Sequence, residues 1–307
     1  MKKTIYFITG PTGIGKSEFA INLCKQINGE VINADSMQIY KELRIISARP
    51  TLSDVKKIKH HLYGYIAGNE RFNVDRWCTD AANKINVLND KNITPIFVGG
   101  TGLYIDTLLN GIISIPTIPE KIKHASNALF DKIGSKNFYS LVNKLDYEAT
   151  KNISQNDSQR LKRIWEVYNH TNKKFSSWKK NKNKKFLNSE NIKIILFLPN
   201  REKNYELVNE RVFKMIDNGA VEEIKKLLSF KYKKTLPIMK AHGVPEITSY
   251  LENSMSLEEC IEKIQLVTRH YVKRQNTWWK SSKLQIFKQI NEFPYEFDLK
   301  LTNLAKF

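Results

Sequence analysis

The segment from residue 10 to residue 17 carries the clearest chemical signature in the chain. It reads Gly10-Pro11-Thr12-Gly13-Ile14-Gly15-Lys16-Ser17, a glycine and four free residues followed by Gly-Lys-Ser. Glycines let backbone N–H groups converge on phosphate oxygens, while a lysine adds positive charge and a serine hydroxyl can bind Mg²⁺. The pattern predicts a P-loop for a phosphate ester, and it is equally compatible with a diphosphate and a triphosphate.

The flanking residues predict the elements that such a loop needs. Residues 4–9 are β-branched and aromatic, as in a buried parallel strand, and residues 18–23 read as a helix. Further strand patterns cover residues 30–34, 93–98 and 192–198, with a weaker one at 284–287. Strands separated by helical stretches imply a parallel sheet whose ligands lie at the carboxyl ends of the strands. Because Asp35, Thr101 and the P-loop each follow a strand, we expect them to meet at one edge of the sheet.

We therefore predict an α/β protein, with a P-loop NTPase-like parallel sheet flanked by helices and an inserted all-helical domain. No strand pattern occurs between residues 109 and 191, where helical patterns cover residues 121–133, 138–145 and 158–168. The predicted boundaries are 1–112 and 190–307 for the core, with its C-terminal helices, and 113–189 for the insertion. A capping box at Ser256–Glu259 opens a long helix through Trp279. Its predicted core face consists of Leu257, Ile261, Ile264, Val267 and Tyr271.

The charge of the chain indicates a polyanionic partner. The formal net charge is +19, from 50 basic and 31 acidic residues. Residues 1–120 carry 14 basic and 11 acidic side chains, whereas residues 121–307 carry 36 and 20. The excess thus lies outside the P-loop segment, as expected if nucleic acid binds a separate surface. An AT-rich coding bias is the alternative explanation, because 40 of the basic residues are lysines.

The composition of the chain argues against a membrane protein, a secreted protein and a zinc- or disulfide-stabilised protein. No run of about 18 apolar residues occurs, and the basic start lacks the features of a signal peptide, so we expect a cytoplasmic protein without membrane contact. The three cysteines lie far apart and form no CxxC or Cys/His cluster, which argues against a zinc site or disulfide framework.

The position of the acidic residue distinguishes this chain from ordinary P-loop ATPases, which hold Mg²⁺ partly with an Asp at the end of an apolar strand. Here the best such strand runs into Gly99-Gly100-Thr101-Gly102, with no carboxylate. Asp35 instead follows the second strand, which weakens the motor-ATPase and kinase interpretations.

Six segments in order resemble the motifs of the bacterial tRNA dimethylallyltransferases, also called tRNA isopentenyltransferases, across roughly residues 4–280. They are the P-loop, Asp35-Ser36-Met37-Gln38-Ile39-Tyr40, Ala48-Arg49-Pro50, Val98-Gly99-Gly100-Thr101-Gly102-Leu103-Tyr104, Asn156-Asp157-Ser158-Gln159-Arg160-Leu161-Lys162-Arg163, and Thr268-Arg269-His270-Tyr271-Val272-Lys273-Arg274-Gln275-Asn276-Thr277-Trp278. One segment departs from the family pattern. His242-Gly243-Val244-Pro245-Glu246 stands where the family usually has Val/Ile-Gly-Tyr and a polar residue.

The resemblance implies transfer of a dimethylallyl group from dimethylallyl diphosphate to N6 of the adenine immediately 3′ of the anticodon in tRNA. It implies Asp35 as the base that activates N6 and Thr101 as a hydroxyl helper. For the diphosphate it implies Gly10, Pro11, Thr12, Gly13, Ile14, Gly15, Lys16, Ser17 and Arg269, with Mg²⁺ on Ser17. For the tRNA anticodon stem-loop it implies Asp35, Ser36, Met37, Gln38, Thr101, Lys123, Gln159, Arg160, Leu161, Lys162 and Arg163. We expect the enzyme to be a monomer.

Two other functions remain open from the residues alone. One is a P-loop kinase of a small metabolite, with the helical insertion as its lid. The other is a non-catalytic RNA-binding protein that uses its P-loop as a switch. Both predict that ATP binds in preference to dimethylallyl diphosphate, so a competition experiment distinguishes them from a prenyltransferase.

Overall fold

A computed structural model describes residues 4–179, 183–187 and 191–297 of the chain. Its strands are β1 Thr4–Thr9, β2 Gly29–Asn33, β3 His60–His61, β4 Thr94–Val98, β5 Asn191–Phe197 and β6 Lys288–Ile290. They form one sheet in the order β3-β2-β4-β1-β5-β6, and every neighbouring pair is parallel. The predicted P-loop-type parallel sheet is therefore confirmed.

Helices fill the connections between the strands. They are α1 Lys16–Ile27, α2 Leu52–Lys57, α3 Val74–Asp90, α4 Gly102–Asn110, α5 Glu120–Leu145, α6 Tyr147–Thr150, α7 Ser158–Thr171, α8 Phe175–Trp178, α9 Arg201–Asp217, α10 Ala220–Ser229, α11 Val244–Leu251 and α12 Leu257–Ser281, with a 3₁₀ segment at Pro237–Lys240. Within the described ranges, no helix has the length and apolar character that crossing a membrane requires.

The central strand β1 is covered on both faces. Ile5 and Phe7 belong to one apolar cluster, which α3, α4 and the helices after β5 complete, and the Phe7 ring stacks on Phe97 at 4.7 Å. Tyr6 and Ile8 belong to a second cluster on the opposite face, which α1 completes. Burial on both faces explains why β1 reads as a continuous apolar run instead of an alternating one.

Two elements of the sheet differ from the sequence prediction. The last strand among the described residues is β6 at Lys288–Ile290, so the strand predicted at residues 284–287 was placed too early. Leu284 and Ile286 pack against the core, but pairing with β5 begins at Lys288, which faces Ile195. The short strand β3 was not predicted. Edge strands of two or three residues are defined by backbone pairing, and apolar patterning gives little signal for them.

The buried face of α12 also differs from the prediction. It consists of Cys260, Ile264, Thr268, Val272, Gln275 and Trp279, so the predicted face shares only Ile264 with it. The prediction selected the most apolar stripe, whereas the structure buries the polar side chains of Thr268 and Gln275. A buried polar side chain needs a local reason, because its transfer from water costs free energy unless it is hydrogen-bonded.

The chain divides into two compact units, one of residues 1–109 and 186–307, here called the α/β unit, and one of residues 110–185. The second unit, here called the helical unit, contains α5 to α8 around a core that includes Phe138, Val142 and Leu161. Helix α5 is interrupted at Gly134, whose φ of 74° is not helical. The boundaries predicted at 112/113 and 189/190 stay a prediction, and the second falls on residues 188–190, outside those described.

Candidate functional site

The P-loop connects β1 to α1 as the sequence predicts, and two of its glycines are required by close packing. Gly10 has a φ of 134°, and a Cβ there would lie 2.2 Å from the carbonyl oxygen of Phe197. Gly13 has a φ of 86°, and a Cβ there would lie 2.4 Å from Val208. Larger residues at these positions would displace the loop from β5 and α9. Ile14, by contrast, points inward and is fully buried.

Lys16 is the first residue of α1 and is only 9% exposed. Its ammonium donates to the carbonyl oxygen of Pro11 at 2.5 Å. Burial lowers the pKa of Lys16 to about 7, while the Asp35 carboxylate acts to raise it and the Arg211 guanidinium to lower it. The charge is thus poorly compensated by the protein itself. An anion bound beside Lys16 would favour its protonated form.

Asp35 follows β2 at the carboxyl edge of the sheet. Its Oδ1 accepts hydrogen bonds from the backbone of Met37 at 2.8 Å and of Gln38 at 3.3 Å. Its own backbone is held by Asn33, which receives the Asp35 N–H at 2.8 Å and donates to the Asp35 carbonyl at 2.9 Å. Among the described residues Oδ2 makes no hydrogen bond. Asp35 therefore closes a turn with one carboxylate oxygen and keeps the other available.

Thr101 lies beside Asp35, because the ends of β2 and β4 approach closely. A Cβ on Gly99 would lie 2.2 Å from the carbonyl oxygen of Ala34, so only glycine permits this approach. The Thr101 hydroxyl accepts the N–H of Ser36 at 3.3 Å. The structure thus brings together the ends of two strands that residues 34–93 separate in the sequence, as expected for a parallel sheet.

Two cavities open at this edge. The first, here the phosphate cavity, has a volume of about 230 Å³ and is lined by the P-loop, including Lys16 and Ser17, and by Gly99, Gly100 and Gln275. The second, here the acceptor cavity, has a volume of about 170 Å³ and is lined by Met37, Ile46, His242, Thr268 and Tyr271, among others. Thr12, Asp35 and Arg211 line both cavities. These three side chains therefore mark the boundary between the two sites.

Arg211 was missed in the sequence. It lies on α9, and its Nη1 donates to the Thr12 hydroxyl at 3.2 Å. Burial lowers the pKa of Arg211, while the Asp35 carboxylate acts to raise it. Arg269, the arginine predicted for the phosphate site, is bonded to Asn209 at 2.8 Å and is not among the residues that line either cavity. Of the two arginines, Arg211 has the position expected of a phosphate ligand.

The polar residues after Asp35 have structural partners. The Gln38 side chain donates to the carbonyl oxygens of Ser47 and Ala48, both at 2.9 Å, and so holds the segment after β2. Met37 packs against the core and lines the acceptor cavity. Because both contacts use Nε2, the side-chain oxygen Oε1 of Gln38 is the atom that can bind a ligand.

The aromatic ring of Tyr271 lines the acceptor cavity near Thr101. Burial raises the pKa of Tyr271 above its ordinary value, as does the Asp35 carboxylate, while the side chains of Thr101 and Gln275 act to lower it. His242, from the segment that departs from the family pattern, lies edge-on to this ring at 5.0 Å. Burial lowers the pKa of His242, as does the nearby Arg274, so the imidazole is neutral at physiological pH.

The helical unit contains its own cavity of about 940 Å³, which five basic residues line, namely Lys151, Arg160, Arg163, Lys174 and Lys179. Arg160 is exposed and lies 3.4 Å from Asp157, whereas burial lowers the pKa of Arg163. Gln159 is exposed beside them. This concentration of cations could hold phosphate groups.

The other predicted RNA contacts of this unit are engaged within it. Lys123 forms an ion pair with Glu120 at 2.8 Å. Lys162 donates to Asn127 at 2.8 Å and lies over the Phe130 ring. Leu161 is fully buried in the core of the unit, so it positions α7 and offers no surface to a ligand.

No group of three or more His, Cys, Asp or Glu side chains arranged to hold a metal occurs in the described ranges. Mg²⁺ does not require such a group, because it is commonly bound by one or two side chains together with substrate phosphates and water. The Ser17 hydroxyl and the Asp35 carboxylate both line the phosphate cavity. Hard oxygen donors beside a phosphate site are compatible with Mg²⁺.

The amino-acid sequence matches two family models, one described as IPP transferase over residues 38–282 and one as isopentenyl transferase over residues 3–67. A tRNA dimethylallyltransferase of Pelagibacter ubique is 42% identical over 274 residues, which are 89% of this chain and 87% of that protein. The tRNA dimethylallyltransferase of Ehrlichia canis is 40% identical over 299 residues, which are 94% and 98% of the two chains.

Solved structures give the same grouping. A tRNA isopentenylpyrophosphate transferase of Bacillus halodurans matches with a TM-score of 0.67 and 27% identity, over 98% of this chain and 92% of that one. A eukaryotic dimethylallyltransferase acting on tRNA matches with a TM-score of 0.75 and 30% identity, over 90% of this chain and 69% of that one.

Proposed function

The chain belongs to the IPP transferase family, and we propose from this premise that it transfers a dimethylallyl group from dimethylallyl diphosphate to tRNA. The acceptor is N6 of the adenine immediately 3′ of the anticodon, and diphosphate is released. The observation that carries the proposal is that one carboxylate, Asp35, borders both the phosphate cavity and the acceptor cavity. A group on this boundary can act on a nucleophile in one cavity while the leaving group is held in the other.

The phosphate cavity would bind the diphosphate. Breaking the allylic C–O bond moves the bonding electron pair onto the diphosphate oxygen, so groups that stabilise developing negative charge act mainly in the transition state. Arg211 supplies positive charge, as does Lys16 once a bound anion favours its protonated form, and the helix N-terminus at Lys16 adds partial charge. Mg²⁺ held by Ser17 and by phosphate oxygens would add positive charge at the same place.

Asp35 would activate the acceptor. N6 of adenine is a poor nucleophile because its lone pair is delocalised into the ring. A carboxylate that accepts a hydrogen bond from N6–H, and then the proton as the N–C bond forms, makes the attack feasible. Oδ1 is held by two backbone N–H groups, so Oδ2 is the oxygen we assign to this proton. Thr101 would orient the amine or the bridging oxygen from beside it.

The anticodon stem-loop would supply the adenine, which must leave its stack to reach the acceptor cavity. Arg160 and Arg163 are the contacts we propose for loop phosphates, because both line the basic cavity of the helical unit. Since tRNA is the proposed substrate, we propose that the enzyme acts in the cytoplasm. The monomeric state stays a prediction. The kinase and non-catalytic alternatives find no support among the relatives described above.

The test is direct. The purified protein is incubated with unmodified tRNA, Mg²⁺ and dimethylallyl diphosphate, and the nucleosides are analysed by mass spectrometry. We expect one prenylated adenosine per modified tRNA and an equal amount of diphosphate. ATP in tenfold excess should compete weakly. Absence of prenylated adenosine, together with ATP-dependent phosphorylation of another compound, would contradict the proposal in favour of a kinase.

A further inference from the structure

Gln275 is a polar side chain on the buried face of α12, and it is only 5% exposed. Its neighbours along that face are Val272 and Trp279, which are apolar and buried. A primary amide in such a position loses its hydrogen bonds to water, so each of its polar atoms needs a partner. The partners of Gln275 therefore indicate what the side chain does.

One end of the amide has a partner and the other does not. Oε1 accepts the backbone N–H of Thr12, in the P-loop, at 2.8 Å. A backbone N–H can be bonded only by the oxygen, so this contact fixes the orientation of the amide and directs Nε2 the other way. Nε2 is buried and makes no contact that meets hydrogen-bond geometry in the described part of the chain. The amide lies near enough to the Tyr271 hydroxyl to act on its pKa, but without such geometry.

The unpartnered nitrogen lies at the wall of the phosphate cavity. Gln275 lines this cavity together with Lys16, Ser17 and Arg211. A Cβ at position 100 would lie 2.1 Å from Nε2, so the amide fits there only because Gly100 has no side chain. One turn further on, Trp278 occupies the equivalent space over Gly102. Because Gly100 and Gly102 have no side chains, this part of α12 can pack directly against the site.

We propose that Gln275 is a binding residue for the diphosphate, to which Nε2–H donates a hydrogen bond while Oε1 holds the Thr12 amide. The inference rests on the proposed function, because it takes a diphosphate as the ligand of the phosphate cavity. Holding Thr12 withdraws one backbone donor of the P-loop from the phosphates, and the side-chain amide replaces it. The same residue thereby connects α12 to the ligand and to the loop.

Two variants separate donation to the ligand from support of the loop. Gln275→Glu keeps an oxygen for the Thr12 N–H but replaces the donor with a second acceptor of negative charge. Gln275→Leu removes both functions without adding charge. If the amide donates to the diphosphate, Gln275→Glu is the more damaging change. If the residue only supports Thr12, Gln275→Glu resembles the wild type and Gln275→Leu is the more damaging change.

The measurement is isothermal titration of the full-length protein with inorganic diphosphate and with dimethylallyl diphosphate at pH 8 and at pH 9, because burial raises the pKa of a carboxyl group and the introduced glutamate must be ionised. We expect Gln275→Glu to lower both affinities by about ten- to hundredfold, the range for a lost hydrogen bond to a charged group. Thermal unfolding of the unliganded variants and their tRNA affinity should stay close to wild type. Gln265→Glu is the matched control, because Gln265 lies on the same helix and donates to Asn209 at 3.3 Å.

Three outcomes of these titrations would decide against the inference. Affinity within twofold of wild type for Gln275→Glu overturns the inference, as does loss of tRNA affinity with diphosphate binding intact. A wild-type protein that binds diphosphate and prenylates tRNA, but whose Gln275→Glu variant does both normally, leaves the proposed function standing and removes the role of Gln275. A wild-type protein that binds no diphosphate overturns both.

Discussion

The α/β unit and the helical unit present charge in opposite ways. Residues 110–185 carry 16 basic and 6 acidic side chains, whereas the much larger remainder carries 34 and 25. In the α/β unit the charged groups at the cavities are fixed in place, since Lys16 is buried and Arg211 is bonded to Thr12. In the helical unit the cations around the cavity, such as Arg160, Lys174 and Lys179, are mostly exposed.

We propose that this difference in charge corresponds to two kinds of ligand. Fixed donors in a partly buried cavity act at low effective dielectric constant and select a small anion by its shape. Exposed cations are screened by salt and act by their number, which is how proteins attract a nucleic-acid backbone. The comparison predicts that changes in the α/β unit act on chemistry and diphosphate binding, and that changes in the helical unit act on tRNA affinity and its salt dependence.

The largest effect is expected for Asp35→Asn. Asparagine keeps the acceptor for the Met37 and Gln38 backbones but cannot take the N6 proton, so the single-turnover rate should fall by about two to four orders of magnitude. Affinity for tRNA should stay near wild type. Asp90→Asn, at the exposed end of α3, is the control and should leave the rate unchanged. A normal rate for Asp35→Asn would remove the proton-acceptor role.

Lys16→Ala should weaken binding of dimethylallyl diphosphate by roughly ten- to hundredfold, because the lost ammonium bonds a charged ligand. Titration of the ligand measures this effect, and Lys25→Ala, exposed in the last turn of α1, is the control. Affinity for tRNA should change less than twofold. Collapse of tRNA binding with diphosphate binding preserved would break the division between the two units.

The affinity for diphosphate should depend on pH through Lys16. The pKa of Lys16 is lowered by burial to about 7 in the free protein, and a bound diphosphate favours the protonated ammonium. Binding therefore takes up a proton above pH 7, and affinity should fall as pH rises, by at most about tenfold per pH unit. Titrations between pH 7 and 9 should show this slope for the wild type and a smaller one for Lys16→Ala. Equal slopes would indicate that Lys16 does not titrate in this range.

The smallest effect is expected on salt dependence. Arg160→Ala with Arg163→Ala should lower the slope of log affinity for tRNA against log salt by roughly one to two units, if both arginines contact phosphates. Lys184→Ala with Lys185→Ala, in the basic segment that follows α8, should lower it less. Prenyl diphosphate affinity should be nearly independent of salt in all variants. A larger slope change for the lysine pair would move the RNA contact to that segment.

The sequence predicted the parts of the site that depend on contiguous residues. The P-loop and the residues after β2 and β4 were predicted because turn glycines and strand patterns are local signals. Arg211 and Gln275 were not assigned to the phosphate cavity, because they reach it from α9 and α12, and only packing decides which face of a helix turns inward. For α12 the predicted face was only partly right, since Ile264 is buried and Ile261 packs against the core, but the buried face also includes the polar side chains of Thr268 and Gln275. Asn33, which fixes the Asp35 backbone, reads in the sequence as an ordinary strand end.

The strand order has a consequence for folding during synthesis on the ribosome. Strand β1 pairs with β4 on one side and with β5 on the other, yet residues 99–190 separate β4 from β5 in the chain. Synthesis of that stretch takes roughly 5 to 20 s, during which one edge of β1 remains without its neighbour. An uncovered apolar strand edge is a template for association between chains. Chains that end before residue 197 should therefore aggregate, and the helical unit is synthesised in full before the sheet can close.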